Sequence, residues 1–182
     1  MTLGRPHATS RDVIAEAACE LFLERGFAHT TVADITSRAG VSRSSFFNYF
    51  TSKSDVLWGG FDQRLDAAVA ALAAGEEVTP ALRSVAIDFA PDSLALAITH
   101  ADAMGLSPDL DAERALRCGR LARAVADRLV SAGEVRLVAD VRGAAAAGAV
   151  LAGVWAWALS GPARSDLGEV LEIALDAASF AD

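Results

Sequence analysis

Residues 30–53 constrain the fold of this chain more than any other stretch, and they read TTVADITSRAGVSRSSFFNYFTSK. The pattern predicts a short helix from Val32 to Ala39 that Gly40 ends, because glycine readily takes the left-handed conformation that closes a helix. Ser42 can cap a second helix that runs to about Tyr49. Two short helices joined by a glycine turn are the layout of a helix-turn-helix, whose second helix enters the major groove of DNA. An ordinary capped helix pair has the same layout, so the pattern alone leaves both interpretations open.

The side chains of the second helix favour DNA reading. Hydrogen-bonding groups crowd onto this one short element, whereas three apolar residues can anchor it to a core. The polar residues are Arg43, Ser44, Ser45, Asn48 and Tyr49, and the apolar residues are Val41, Phe46 and Phe50.

The composition predicts an all-α protein. Apolar residues make up 53% of the 182 residues, and strong helix formers such as Ala, Leu, Arg and Glu outnumber alternating, strand-like runs. Cys19 and Cys118 lack metal-ligand spacing and are expected to be core thiols. The uncharged run from Gly143 to Leu159 is shorter than the ~20 residues of a membrane span, so it predicts a buried helix. With no signal-peptide pattern, the protein is expected to be cytoplasmic and not membrane-bound.

The net charge of −8 is unfavourable for DNA binding, but the distribution of charge along the chain matters more than the total. Residues 1–60 hold six basic and six acidic side chains, so the whole excess of acid lies in residues 61–182. Phosphate groups respond to the local field rather than to the total charge, and a neutral domain can still carry a basic face. The charge balance is therefore compatible with DNA binding.

A helix before this stretch is expected to complete a small domain. Ser10 or Thr9 can cap a helix from Arg11 to Arg25, which Gly26 ends. Its apolar residues recur at helical spacing, at Ile14, Ala17, Ala18, Leu21 and Phe22. This apolar stripe is expected to pack on the helix-turn-helix and give a three-helix domain.

Taken together, residues 10–57 resemble the N-terminal domain of the TetR family of bacterial transcriptional regulators. The residues that carry the resemblance are Arg11, Ile14, Ala17-Ala18, Leu21-Phe22, Gly26-Phe27, Thr30-Thr31-Val32, Ile35, Ala39-Gly40-Val41-Ser42, Phe46, Tyr49-Phe50 and Ser52-Lys53. The resemblance implies a helix-turn-helix DNA-binding domain (residues 1–53) and a C-terminal helical domain (residues 54–182) for ligand binding and dimerisation, with about nine helices in all. The segment from Phe46 to Asp62 also resembles an actinobacterial subgroup that includes the regulator of mycofactocin clusters and is associated with acyl-CoA ligands.

The family resemblance also implies which residues contact DNA. The family contacts phosphates from the start of the second helix, from the start of the recognition helix, and from the lysine after it. In this chain those residues are Thr31 with Thr30 beside it, Ser42, Ser44 and Lys53. Exposed side chains of the recognition helix read the bases, and Arg43, Ser45 and Asn48 stand at those positions. Arginine can bond guanine, and asparagine can bond adenine, in a bidentate way.

Three residues depart from the usual family pattern. Ser44 stands where glycine is common, Ser45 where threonine is common, and Phe47 where tyrosine is common. Phe47 cannot donate a phenolic hydrogen bond to phosphate, although its ring can contact a thymine methyl group. Tyr49 can supply the missing hydroxyl, so we expect altered individual contacts and an unchanged binding mode.

The rest of the chain is predicted to be a series of helices. The predicted ranges are Asp55 to about Ala74, Pro80 (capped by Thr79) to Phe89 or Ala90, Asp92 to His100, Asp109 or Asp111 to Ala132, Leu137 to Ser160, and Asp166 to Phe180, with a loop over Met104 to Leu110. Alanines and glycines along the Leu137 to Ser160 helix leave a strip nearly free of side chains, where two helix backbones can approach closely.

The family resemblance places a homodimer interface on the last two helices, at about residues 137–160 and 166–180. A monomeric core helix pair is the alternative. The dimer is favoured because a helix-turn-helix reader needs two half-sites, and two-fold symmetry in the protein then matches that of its operator.

An effector pocket is expected among the C-terminal helices. Arginines of the long helix can bind an acidic ligand head group, although such arginines are more often solvated and paired with acids. The candidate pocket residues are Phe89, Leu94, Ile98, His100, Met104, Leu106, Leu116, Arg117, Arg120, Leu121 and Trp155.

The sequence carries no motif of an enzyme, a metal site or a phosphate-binding loop, so neither catalysis nor a cofactor is expected. The expected function is ligand-responsive transcriptional regulation, usually repression. A homodimer would bind a pseudo-palindromic operator in double-stranded DNA until a small apolar or amphipathic effector releases it. The alternative is a helical small-molecule (acyl-type) binding protein with a non-functional DNA reader, which the neutral N-terminal charge and Phe47 favour.

Overall fold

A computed structural model describes residues 10–87, 89, 93–161 and 166–179, and the regular elements in these ranges are all helices. They are α1 (Ser10–Arg25), α2 (Val32–Ala39), α3 (Arg43–Phe47), α4 (Asp55–Ala73), α5 (Val78–Arg83), α6 (Ser93–Thr99), α7 (Ala101–Met104), α8 (Ser107–Ser131), α9 (Arg136–Ser160) and α10 (Leu167–Ala178). The all-α prediction is confirmed. Residues 1–9 of the predicted DNA-binding domain, Ala90, Asp92 and Phe180 lie outside the described residues.

The first three helices pack around one apolar core, as predicted. The stripe of α1 is buried with one residue from each of the next two helices and with Phe50 behind them. The buried side chains are Ile14, Ala18, Leu21, Phe22, Ile35, Phe46 and Phe50. Ser10, one of the two residues expected to cap α1, is instead its first helical residue.

The helix α4 runs from this domain into the rest of the molecule. Trp58, Phe61 and Leu65 on its inner face are fully buried and join the core of the C-terminal helices. Ser54 directly precedes α4, but its backbone is already helical and its side chain does not cap the helix. The hydroxyl of Ser52 takes that role, accepting from the Asp55 N–H at 3.1 Å.

Two predicted boundaries between α5 and α8 were wrong. The helix expected to reach Phe89 stops at Arg83, because a 3₁₀ turn over Ser84–Ala86 leads to an extended backbone at Ile87. The loop expected from Met104 to Leu110 holds the end of α7 and the first turn of α8. Pro108 fits that first turn because its missing N–H would have no helical partner there.

The helices α8, α9 and α10 pack side by side, and two glycines of α9 set their spacing. A Cβ atom on Gly143 would lie 2.4 Å from the carbonyl oxygen of Ala122 in α8, and one on Gly153 would lie 2.7 Å from the Leu171 side chain of α10. The close approach expected along this helix therefore depends on Gly143 and Gly153.

The helix α9 has one buried face and one exposed face. Val150, Leu151, Val154 and Trp157 lie in the core. In the described part of the chain, α9 is the helix long and apolar enough to cross a membrane, yet 39% of its most apolar window is buried. The prediction of a buried helix therefore holds for one face, which packs like a core helix of a globular protein. Its other face and the neighbouring Ile173 of α10 leave apolar side chains exposed.

Candidate nucleic-acid interface

The helix α2 begins and ends where the sequence predicts. The Thr31 hydroxyl accepts the N–H of Asp34 at 3.2 Å, and the Asp34 carboxylate accepts the N–H of Thr31 at 2.8 Å, which completes a capping box. Donation from the Thr31 hydroxyl, and then from its backbone N–H, lowers the pKa of Asp34. Gly40 ends the helix at a φ of 66°, in the left-handed region. Local capping therefore fixes how α2 enters the turn.

The recognition helix α3 is capped by Ser42, whose hydroxyl accepts the N–H of Ser45 at 3.0 Å. The helix ends at Phe47, two residues earlier than expected, and Asn48 is its C-cap. Asn48 and Tyr49 therefore lie in the turn that follows α3.

An exposed polar and aromatic surface covers the outer side of α3 and this turn. The surface consists of Arg43, Ser44, Phe47, Asn48 and Tyr49, and is called the reading face below. The Phe47 and Tyr49 side chains are each 47% exposed, and the Arg43 guanidinium lies 5.6 Å from the centre of the Phe47 ring. Phe46 holds the opposite side of the helix in the core. The reading face thus presents hydrogen-bonding groups and flat rings on a rigidly anchored element.

Two of the predicted contact residues use their hydroxyls for bonds within the domain. Thr30 is 1% exposed, and its hydroxyl donates to the carbonyl oxygens of Gly26 at 2.9 Å and Leu21 at 3.3 Å. The hydroxyl of Ser45 lies 2.9 Å from that of Ser42, so it belongs to the helix cap. The loop after α1 folds Thr30 into the core, so its side chain does not lie on the surface beside Thr31.

Lys53 also points inward. Its ammonium nitrogen lies 2.6 Å from the carbonyl oxygen of Phe27 and 3.1 Å from that of Thr30, and 4.0 Å from the centre of the Phe27 ring. The sequence showed a lysine after the recognition helix but gave no sign that these carbonyls lie within its reach.

Other basic groups of this domain are held by neighbouring acids. Arg38 of α2 binds Glu20 at 3.0 Å and Glu24 at 2.7 Å, both on α1. The hydrogen bond from Arg38 lowers the pKa of Glu24, and the bonds to Glu24 and Glu20 raise the pKa of Arg38. Arg25 lies 3.7 Å from Asp34. Arg43 is thus the basic side chain of the reading face, while Arg25 and Arg38 pair with acids inside the domain.

The candidate effector residues do not converge on one cavity. Leu94, Ile98, Met104, Leu106 and Leu121 are buried in the core, while His100, Leu116 and Arg120 are exposed. Leu116 and Arg120 line an open cleft of about 930 Å³ between α4 and α8. A second cleft of about 380 Å³, between α5, α8, α9 and α10, contains none of the candidates.

Two candidates, Arg117 and Trp155, meet in a cluster that joins three helices. The Arg117 side chain is 12% exposed, and it binds both carboxylate oxygens of Asp62 on α4 at 2.7 and 2.6 Å. It also lies 4.0 Å from the ring centre of Trp58, which packs 5.8 Å from the ring of Trp155 on α9. Burial alone would lower the pKa of Arg117, but the hydrogen bonds that it donates to Asp62 and Glu113 outweigh this effect and raise that pKa. The cluster ties α4, which leaves the reader domain, to α8 and α9.

Comparison with known proteins agrees with this geometry. Residues 14–57 match the family model described as bacterial regulatory proteins, tetR family. These residues include most of α1, all of α2 and α3 and the start of α4, so the helix-turn-helix of this chain is similar to the N-terminal domain of that family.

Two curated relatives resemble the N-terminal part of the chain. One is the proposed mycofactocin biosynthesis transcriptional regulator MftR of Mycobacterium tuberculosis, 38% identical over 63 residues, or 35% of this chain and 32% of that protein. The other is the HTH-type transcriptional repressor KstR2 of Mycolicibacterium smegmatis, 34% identical over 76 residues, or 36% of this chain and 37% of that protein. The expected resemblance to the mycofactocin regulator is confirmed. The aligned part of the chain spans about a third of the length of these relatives.

Solved structures share the fold over almost the whole chain. NalD of Pseudomonas aeruginosa, the secondary repressor of the MexAB-OprM multidrug efflux pump, superposes with a TM-score of 0.57 at 18% identity, covering 93% of this chain and 94% of NalD. AmtR of Mycobacterium smegmatis superposes with a TM-score of 0.53 at 21% identity, covering 100% of this chain and 91% of AmtR. At these identities the likeness establishes the fold alone.

Proposed function

We propose that this chain is a DNA-binding transcriptional regulator, and that it acts as a repressor which a small molecule releases from its operator. The observation that carries the proposal is the reading face, which stands exposed on a capped recognition helix inside a TetR-family domain. Repression is the role named for KstR2 and NalD. DNA binding implies a cytoplasmic location and requires no catalytic step.

Different side chains of the reading face suit contacts with bases and contacts with phosphates. Arg43 and Asn48 carry the side chains suited to guanine and adenine edges, and Phe47 offers an apolar ring to a thymine methyl group. The hydroxyls of Ser44 and Tyr49 are free to approach phosphate from the same surface. Thr31 and Ser42 stand at exposed helix starts, where backbone N–H groups favour an anion.

A homodimer is the proposed DNA-binding form. Apolar side chains remain exposed on α9 and α10, with Leu137 and Ile173 each 72% exposed and Val141 and Leu159 more than half exposed. A second copy packed on this surface would remove them from water. Two recognition helices related by a two-fold axis would then read two half-sites.

The proposed effector is apolar or amphipathic. The cleft between α4 and α8 combines Val69, Leu72 and Leu116 with Arg123, which suits an apolar body with an acidic head group. Arg120 also lines the cleft, and it is paired with Asp66 of α4 at 2.6 Å. The cleft borders α4, the helix that leaves the reader domain. An effector with a higher affinity for one orientation of α4 than for another would shift the protein towards that orientation. Such coupling typically changes the free energy of operator binding by about 1–3 kcal/mol.

Selection from a random DNA library tests the proposal. Duplexes that bind the purified full chain are enriched over several rounds and sequenced, with the Arg43→Ala variant run in parallel. We expect an inverted repeat whose half-sites lie about one helical turn, or a multiple of it, apart. No enriched sequence for the wild-type protein would contradict the proposal and favour a ligand-binding protein without a DNA-reading role.

A further inference from the structure

Ion pairs between arginines of α8 and acids of α4, or of the segment that follows α4, form a row along the line where the two helices meet. This line is called the seam below. The pairs, in order from the reader domain, are Arg117–Asp62 at 2.6 Å, Arg120–Asp66 at 2.6 Å and Arg128–Glu77 at 3.3 Å. At each of these points an acid on one side of the seam offsets a cation on the other.

Arg123 lies on α8 between the second and the third of these pairs and lacks such an acid. Its side chain is exposed, and it makes no ion pair or hydrogen bond with any residue that the structure describes. Residues 67–75, on the α4 side of the seam, read AAVAALAAG and contain no acid. Asp127, one turn further along α8, is bonded to Arg136 at 2.7 Å. The seam therefore holds a cation at a point where the neighbouring helix supplies no anion.

The open cleft of about 930 Å³ lies at this point of the seam. Its walls include Leu72 of α4 and Leu116 of α8, and the Leu116 side chain is 69% exposed. Arg123 follows Leu116 by about two turns of helix, so the two residues share one face of α8 and stand about 10 Å apart along its axis. Gly119 lies between them, and a Cβ atom added there would meet nothing within 4 Å. An apolar surface and a cation thus share one open groove.

We propose that Arg123 anchors the head group of an amphipathic effector, a molecule with an aliphatic body and a single anionic head group, and that this effector supplies the anion missing from the seam. The proposal rests on the proposed function and deepens its account of the effector. A guanidinium presents paired N–H donors that match a carboxylate. The aliphatic body would cover Leu116 and Leu72, on opposite walls of the cleft. A ligand held on both walls links α4, which leads to the reader domain, to α8.

Isothermal titration calorimetry of the full chain tests the site without DNA, with decanoate as the probe. We expect decanoate to bind. The neutral alcohol 1-decanol has the same aliphatic chain and should bind about tenfold more weakly or worse, because it lacks the charge that bonds Arg123. Butanoate has the same head group on a much shorter chain, and it should also bind at least about tenfold more weakly because it buries less apolar surface.

Single substitutions identify the anchor. Arg123→Ala should weaken decanoate binding about tenfold or more and leave the binding of 1-decanol unchanged. The variant should fold as the wild type, since the side chain is exposed. Arg120→Ala should weaken decanoate binding less than Arg123→Ala, because Asp66 already offsets the charge of Arg120. Arg83→Ala, on the exposed surface of α5, is the control for charge and should bind decanoate as the wild type does.

Several results of these titrations would overturn the proposal. Decanoate binding as strong in Arg123→Ala as in the wild type would place the head group elsewhere, and an equal or larger loss in Arg120→Ala would make that paired arginine the anchor. Equal binding of decanoate and 1-decanol would show that the charge is not recognised. Equal binding of butanoate would show an anion site without an apolar body. Absence of decanoate binding would remove the site.

The effect on DNA is measured separately, by fluorescence anisotropy with the selected operator. Saturating decanoate should raise the Kd of the wild-type protein for the operator about fivefold or more, and it should leave the Kd of Arg123→Ala unchanged at the same concentration. An unchanged Kd of the wild type with decanoate bound would refute the effector role. If the wild-type protein selects no DNA, the proposed function fails, whereas calorimetry still decides whether Arg123 anchors an amphipathic anion.

Discussion

Replacing Gly143 by alanine tests how closely α8 and α9 approach. A Cβ atom at this position would lie 2.4 Å from the carbonyl oxygen of Ala122 and 3.2 Å from the backbone nitrogen of Ala126. The first distance is about 1 Å short of the 3.4 Å at which ordinary van der Waals contact begins. Both neighbours are backbone atoms, so relief requires the two helices to move apart rather than one side chain to turn.

The magnitude follows from two opposing effects. Overpacking against a fixed backbone falls in the upper part of its usual range, about 3 kcal/mol. Alanine gains about 1 kcal/mol over glycine in a helix interior. The free energy of unfolding should therefore fall by about 2 kcal/mol, which lowers the Tm of a chain of this size by about 4–8 °C.

Gly119 on α8 supplies the matched control. It is exposed, and an added Cβ atom would meet nothing within 4 Å. Gly119→Ala should therefore keep the propensity gain and raise the Tm by about 2–4 °C. Thermal unfolding followed by circular dichroism at 222 nm compares both variants with the wild type. A Gly143→Ala protein as stable as Gly119→Ala would show that α8 and α9 lie further apart than described.

Two further predictions concern charged groups. Arg117→Met leaves the Asp62 carboxylate, 24% exposed, without its bidentate partner, so the free energy of unfolding should fall by about 2 kcal/mol. Asp62→Asn in the Arg117→Met background should restore part of the lost free energy of unfolding. Urea titration measures the stability of both variants. An unchanged midpoint in Arg117→Met would count against the cluster. The pKa values of Glu24 and Asp34 are lowered from 4.5 and 3.8, so the stability they contribute is present above those values and is lost as the pH falls through the lowered folded-state values. Thermal scans across acid pH should show the Tm falling below about pH 4.5, with a smaller fall in Asp34→Asn, and equal profiles would contradict the capping box.

The sequence was sufficient wherever local chemistry decides the structure. Thr31, Gly40 and Ser42 act through bonds to residues three or four positions away, or through their own backbone, so their roles follow from the residue types. The four-residue helix α7 escaped prediction because it is too short to show an apolar period.

Contacts between distant segments could not be predicted in the same way. Lys53 reaches carbonyls more than twenty positions earlier, and the burial of Thr30 depends on how the loop after α1 folds back on it. Effector residues were harder still, since Leu, Ile and Met line clefts and fill cores alike. The candidate residues consequently divided between the core and the surface.

The central claim is that the reading face on α3 binds operator DNA, and the affinity of Arg43→Ala for the selected operator tests it most directly. A bidentate base contact is worth about 1–3 kcal/mol, so the loss of one in each half-site should weaken binding by about 30-fold or more. Arg83→Ala removes the same charge from the exposed surface of α5 and should leave the affinity unchanged. Equal affinity of Arg43→Ala and Arg83→Ala, both folded as the wild type, would contradict the account.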